Sequence, residues 1–69
     1  MEKIWCPRCD QGWVECVRVL LLDKKIYVCG ECEATWVKRN EIGIEKFEDF
    51  QNFMQANGLK GEWSEVKQL

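Results

Sequence analysis

Cys6-Pro7-Arg8-Cys9 and Cys29-Gly30-Glu31-Cys32 are the two stretches on which the fold of this chain turns. Each is a C-x2-C pair, and 19 residues separate them, a spacing that belongs to four-cysteine metal sites. Each pair bends the backbone into a tight knuckle that aims two sulfurs at a common point. Four thiolates around one tetrahedral zinc leave no coordination position for water or substrate. The single Zn2+ implied by Cys6, Cys9, Cys29 and Cys32 is therefore structural. The metal answers a problem of size, because a chain of 69 residues seldom buries enough apolar surface to fold without a staple. Disulfides are the competing staple, and three features count against them. Five cysteines leave one over, both pairs have knuckle spacing, and Met1-Glu2-Lys3-Ile4-Trp5 reaches the first cysteine without an apolar leader. No run approaches the ~18 apolar residues of a membrane-spanning helix. The expected setting is a reducing cytoplasm, with no membrane partner.

Working outward from the knuckles, Gly12 ends the first one, where a turn with positive φ is easiest. Trp13 to Leu22 is long, apolar and β-branched enough to read as a strand. Asp23-Lys24-Lys25 breaks it, and Ile26-Tyr27-Val28 returns as its partner into Cys29. Thr35-Trp36-Val37 supplies a third short strand. A three-residue loop would set Leu22 opposite Ile26. Val14, Cys16, Leu20, Leu22, Ile26 and Val28 would then share one face, with Trp13, Val17, Val19, Leu21 and Tyr27 on the other. Both faces are more apolar than a sheet with one wet side requires. The second face is expected either to lie under the tail carrying Trp63 or to meet a partner.

This order of CPRC, hairpin, CGEC and Trp36 resembles the zinc-ribbon superfamily over about residues 4–38. The resemblance implies a structural zinc on Cys6, Cys9, Cys29 and Cys32 and a small antiparallel sheet. The chain departs from many ribbons in having Asp10 and Glu33, not glycine, directly after each knuckle. The superfamily hosts many functions, so the likeness transfers none of them.

The remainder reads as helix. Phe47, Phe50, Phe53 and Met54 recur at intervals of three and four as one apolar stripe. Glu45, Glu48 and Asp49 fall in the first turns, where they suit the positive end of the helix dipole. Asn57-Gly58 supplies the stop. Leu59, Trp63, Val66 and Leu69 make a looser apolar set, with Ser64 placed to cap a last short turn. The fold expected is α+β in a single domain, residues 1–69. A three-stranded zinc ribbon occupies residues 1–40, and an acidic helical extension at 41–69 backs it.

Composition narrows the chemistry. The formal charge is −2, and a zinc ion on four thiolates brings it to about −4. Residues 41–69 hold three Lys/Arg against six Asp/Glu. Histidine is absent, which removes the commonest general base and any Cys-His nucleophile within one chain. Cys16, the leftover thiol, sits among apolar neighbours and reads as a structural cysteine, since reactive thiols want exposure and nearby positive charge. Glu45, Glu48 and Asp49 read as the wet face of the helix in preference to an acid/base pair. No phosphate loop or nucleotide-binding turn is present, so no catalytic residue is assigned and an enzyme is not expected.

Three binding roles remain. Arg8, Arg18, Lys24, Lys25, Lys38 and Arg39 could meet phosphate, with Trp5, Trp13, Trp36 and Tyr27 stacking on bases, as in nucleic-acid-binding ribbons of the transcription or ribosome-associated kind. A net acidic chain with scattered cations is poorly equipped for that task. A tetrahedron of four sulfurs also suits iron, as in rubredoxin-like electron carriers. The reading preferred on sequence is a non-enzymatic protein that binds another protein as an adaptor, regulator or inhibitor. In size and charge it is similar to small bacterial immunity or antitoxin-like proteins. Trp13 and Trp36 are expected in the core and Trp63 against the phenylalanine helix, or partly exposed as an anchor.

Overall fold

The computed structural model describes residues 4–69. The leaderless start read at Met1-Glu2-Lys3 lies outside them. Six strands, all paired antiparallel, and one short helix make up the regular structure of the described residues, an arrangement compatible with α+β. The strands are β1 (Ile4–Trp5), β2 (Trp13–Val19), β3 (Lys24–Cys29), β4 (Ala34–Trp36), β5 (Glu48–Asp49) and β6 (Val66–Gln68); the helix α1 is Phe50–Ala56. The sheet order is β1-β2-β3-β4-β5, and β6 also pairs with β2. β1 takes the Trp13 end of β2 and β6 takes its Val19 end, so the two share one edge. The ribbon expected to have three strands thus gains β1, β5 and β6. Two- and three-residue strands carry too little periodicity to stand out in a sequence.

The central hairpin differs from expectation by a shift of register. Val17 pairs with Ile26 and Val19 with Lys24, which ends β2 at Val19 and leaves Leu20-Leu21-Leu22-Asp23 as a four-residue loop. Asp23 closes that loop in the left-handed region at φ 50°. Cross-strand partners share a face, so Val17, Val19, Ile26 and Val28 point to one side together. The three-residue loop would have put the two pairs on opposite sides, because a slip by an odd number of residues exchanges the faces of a strand.

Each face carries its own core. On the first, Val17, Val19, Ile26 and Val28 pack under Phe50, Phe53 and Met54 of α1, with Leu59 and Val66 at the margin. On the second, Val14, Cys29, Ala34 and Trp36 pack with Cys6, flanked by Ile4, Tyr27 and Ile42. The first core lies toward the hairpin loop and the second toward the knuckles. Two diagonal quadrants stay open, one with Trp5 and Trp13 and the other with Arg18, Lys25 and Lys67. Neither sheet face is fully buried. The second is covered by the knuckles and Ile42, while the Trp63 ring stacks on Phe50 of α1 at 4.8 Å.

The helix begins later than its apolar stripe suggests. Asp49 is its N-cap, with Oδ2 accepting from the N–H groups of Gln51 and Asn52 at 3.1 and 3.2 Å. Phe47 stays outside the helix, and Glu48 and Asp49 form β5. The end follows expectation. Leu59 N–H reaches Met54 O at 2.9 Å and Gly58 N–H reaches Gln55 O at 3.1 Å, with Gly58 at φ 79°, which is a Schellman motif. The last short turn, Trp63–Glu65, is capped by Glu62 and Glu65 in a reciprocal capping box, not by Ser64.

Candidate metal centre

The two knuckles are built alike. Asp10 N–H bonds to Cys6 O, and Glu33 N–H bonds to Cys29 O, both at 3.1 Å. The residue after each pair takes the left-handed conformation that ribbons usually give to glycine, with Asp10 at φ 54° and Glu33 at φ 62°. Each of these acids is held by an indole. Trp5 Nε1 donates to Asp10 Oδ1, and Trp63 Nε1 donates to Glu33 Oε2 at 2.9 Å. The departure from the glycine pattern therefore keeps the knuckle geometry and adds an aromatic clamp to each turn. An acid directly after C-x2-C was the only sequence signal of this clamp, and its tryptophan partners could not be read from spacing.

Gly12 has a different role from the one expected. It is not at positive φ; a Cβ there would stand 2.5 Å from Glu31 Cγ and 3.2 Å from Cys29 Sγ. Its lack of a side chain lets the first knuckle close against the second. Arg8 reinforces the closure, with Nη1 donating to Cys32 O at 3.4 Å and its guanidinium 4.4 Å above the Phe47 ring.

This framework brings the Sγ atoms of Cys6, Cys9, Cys29 and Cys32 within 4.8 Å of one another. Cys6 and Cys32 are 3.7 Å apart, as are Cys9 and Cys29. A tetrahedron with metal–sulfur bonds of about 2.3 Å has sulfur–sulfur edges of about 3.8 Å. A disulfide needs about 2.05 Å. The donor set and spacing thus fit one tetrahedral ion and form no bridge. Cys16 stands apart, half-buried opposite Tyr27.

Burial pushes the Cys29 thiol up to about 12 and raises that of Cys6 as well. Burial acts on Cys32 in the same sense. There the Ala34 N–H, the Arg8 side chain and the neighbouring thiols outweigh it and bring the group down to about 7. Cys32 is therefore a readier thiolate than Cys6 or Cys29. A divalent cation at the centre favours the thiolate form of all of them.

The remaining candidates scatter. Trp36 is buried, and its Nε1 donates to Gly43 O at 3.1 Å. Trp13, expected in the core, is 47% exposed, because α1 reaches only the loop half of its face. It meets Trp5, 45% exposed, edge-on with ring centroids 4.9 Å apart. Trp63 combines the two roles foreseen for it, stacked on Phe50 yet 39% exposed. Of the possible phosphate-binding cations, Arg8 is tied to the knuckles, Arg18 and Lys25 face each other across the hairpin, and Lys38 borders a shallow polar hollow with Asn40, Glu41, Glu45 and Lys46. Glu45, Glu48 and Asp49, expected on the wet face of the helix, all precede it. The Asp49 carboxylate caps α1, Glu48 is an exposed strand residue and Glu45 borders the hollow beside Lys38. No helix among the described residues is long and apolar enough to cross a membrane. No protein-family model, curated protein or solved structure matches this chain. The four-cysteine cluster could hold one metal ion and fits a zinc ribbon.

Proposed function

We propose that this chain is a non-enzymatic zinc-ribbon protein that binds a protein partner, with one structural zinc on Cys6, Cys9, Cys29 and Cys32. The observation that carries the reading is the Trp5–Trp13 pair. Two half-exposed tryptophans in mutual contact stand on the open quadrant beside the knuckles. Trp5 is fixed further by Asp10 of the first knuckle. Rigid, exposed tryptophan is the side chain that most often dominates protein interfaces, because it supplies large contact area at small cost in conformational entropy. In this reading zinc positions the pair by fixing the knuckle beside it and takes no part in chemistry.

The test is affinity capture by the metal-loaded protein, with and without nuclease, beside a Trp5→Ala/Trp13→Ala variant. The expected result is one nuclease-resistant protein in near-stoichiometric amount, lost with the variant. Capture that is nuclease-sensitive and released at moderate salt would put nucleic acid in the partner's place. Elemental analysis checks the metal in the same preparation. A red-brown protein containing iron would replace the zinc reading with the rubredoxin-like one.

A further inference from the structure

The end of the β2–β3 hairpin farthest from the cysteines exposes three consecutive leucines. Leu21 is 77% exposed, Leu20 51% and Leu22 37%. The core on that side stops at Val19 and Ile26. Leu20 is tied to the fold by its backbone N–H, which bonds to Glu65 O at 3.0 Å, a contact most residues could make. Three adjacent exposed apolar residues at a turn, none of them part of the buried core, lower solubility, so they mark a contact surface.

A second feature lies directly behind the loop. Arg18 stands opposite Lys25 of β3 and opposite Lys67 of β6, which lines up three exposed cations across three strands on one face. Lys24 adds a fourth at the base of the loop. Like charges directly opposite one another destabilise a sheet. Arg18 has an acid partner, Asp23 at 3.7 Å, while Lys24, Lys25 and Lys67 have none among the described residues. The nearby Glu65 carboxylate is occupied by the N–H groups of Lys60, Gly61 and Glu62. An anion from outside the chain would relieve the repulsion within the row.

We propose that this hairpin tip docks on the surface of an anionic lipid bilayer, with Leu20, Leu21 and Leu22 entering the headgroup–acyl boundary and Arg18, Lys25 and Lys67 meeting lipid phosphates. Surface attachment needs no spanning segment. It needs an apolar insertion and a basic patch together, since either alone holds a protein only weakly. The leucines decide between anionic partners, because they gain nothing from a nucleic-acid backbone and cannot stack on bases as aromatic side chains do. They also decide against a protein hot spot, where leucine is under-represented. Net negative charge is no obstacle in this orientation. The cysteine cluster lies at the far end of β3, roughly 17 Å away along the strand. That exceeds the Debye length of about 8 Å at physiological salt, and the charges around the tip, Arg18, Lys24, Lys25 and Lys67 against Asp23 and Glu65, leave it locally cationic. The proposal is independent of the protein-binding reading and concerns a different quadrant of the sheet.

The test is cosedimentation of the full, metal-loaded chain with two vesicle preparations. One is phosphatidylcholine alone, and in the other roughly a third of the lipid is phosphatidylserine. Binding is expected only to the anionic vesicles and is expected to weaken as salt rises. A Leu20→Ser/Leu21→Ser/Leu22→Ser variant should keep its metal and melting transition and lose about tenfold or more in partitioning. Arg18→Gln/Lys25→Gln/Lys67→Gln should lose about a hundredfold, at roughly a factor of five per cation. Three results would each overturn the proposal. The first is no sedimentation with anionic vesicles, and the second is sedimentation unaffected by the leucine variant. The third is tight binding of a single-stranded oligonucleotide that depends on the cations and ignores the leucines. A dimer abolished by the leucine variant, without vesicle binding, would assign the tip to self-association instead.

Discussion

Val17, Val19, Ile26 and Val28 are sealed by a seven-residue helix, while Val14, Ala34 and Trp36, on the opposite face and toward the opposite end, are sealed by cysteine knuckles. The helical half uses Phe50, Phe53 and Met54, whose burial stabilises it without any cofactor. The knuckle half buries Trp36 as its largest side chain among the described residues, with Val14 beside it, and surrounds it with thiols and short turns. A small chain can thus divide its burial between apolar area, which needs bulky residues, and a metal, which needs four small ones. The strands β2 and β3 run through both halves, so each half supports the other.

The largest test removes a ligand. Cys29→Ser leaves three thiols at a buried site. Loss of metal and of the cooperative melting transition is expected, because metal-binding free energy is folding free energy in such domains. Retention of a native transition without metal would show that the helical half stands alone and would break the comparison. Phe50→Ala attacks the other half. The cost expected is about 3–5 kcal/mol in denaturant melts. The visible spectrum of the cobalt-substituted variant should stay tetrahedral under native conditions. A lost spectrum would mean that the helix builds the metal site directly. Phe50 N–H does bond to Glu33 O of the second knuckle at 2.9 Å, and this is the contact through which such coupling would run.

Smaller changes sharpen the contrast within the knuckle half. Gly12→Ala should cost about 1–3 kcal/mol, because its Cβ meets Glu31 and Cys29 Sγ at overpacked distances; a melt under metal saturation measures it. Asp10→Gly should act in the opposite sense. It relieves a left-handed conformation worth about 1 kcal/mol and gives up only an exposed indole bond, so an unchanged or raised melting temperature is expected. The smallest effect concerns pH. Hydrogen bonds from the N–H of Glu62, and then of Lys60 and Gly61, lower the Glu65 carboxyl below its ordinary 4.5 against a smaller opposing effect of desolvation. A lowered folded-state pKa gives stability that is full above the unfolded value and is lost as pH falls through the folded one. Glu65→Gln should therefore flatten the acid limb of the stability curve below pH 4.5, with little change near neutrality.

The metal half was the more legible in sequence. Cys6, Cys9, Cys29 and Cys32 announce themselves by spacing, since a knuckle is a local structure and its residues are chemically distinctive. The helix stop at Asn57-Gly58 was readable for the same reason. Its start was not, because Asp49 as cap and Glu48 in β5 depend on pairing with Ala34 and Thr35, which lies outside any local window. The hairpin failed on register. Three leucines in a row read as strand by composition, yet the valines at 17 and 19 are the residues that the helix covers. Trp13 and Trp36 could not be told apart, since only the extent of α1 decides which tryptophan is buried.

The position of β6 has a consequence for the order in which the sheet assembles. Val66–Gln68 pairs with Val17–Val19, so this edge joins residues 47 to 51 positions apart in the sequence. The cysteine cluster, β1 and Trp36 all lie within residues 4–36. A chain synthesised from its N-terminus offers the metal all four thiols long before β6 exists, and contacts of short sequence separation form first in any case. Metal capture should therefore precede completion of the sheet. Until β6 arrives, the Val17–Val19 edge of β2 stays unpaired and open to other strands, an interval in which aggregation is the chief hazard.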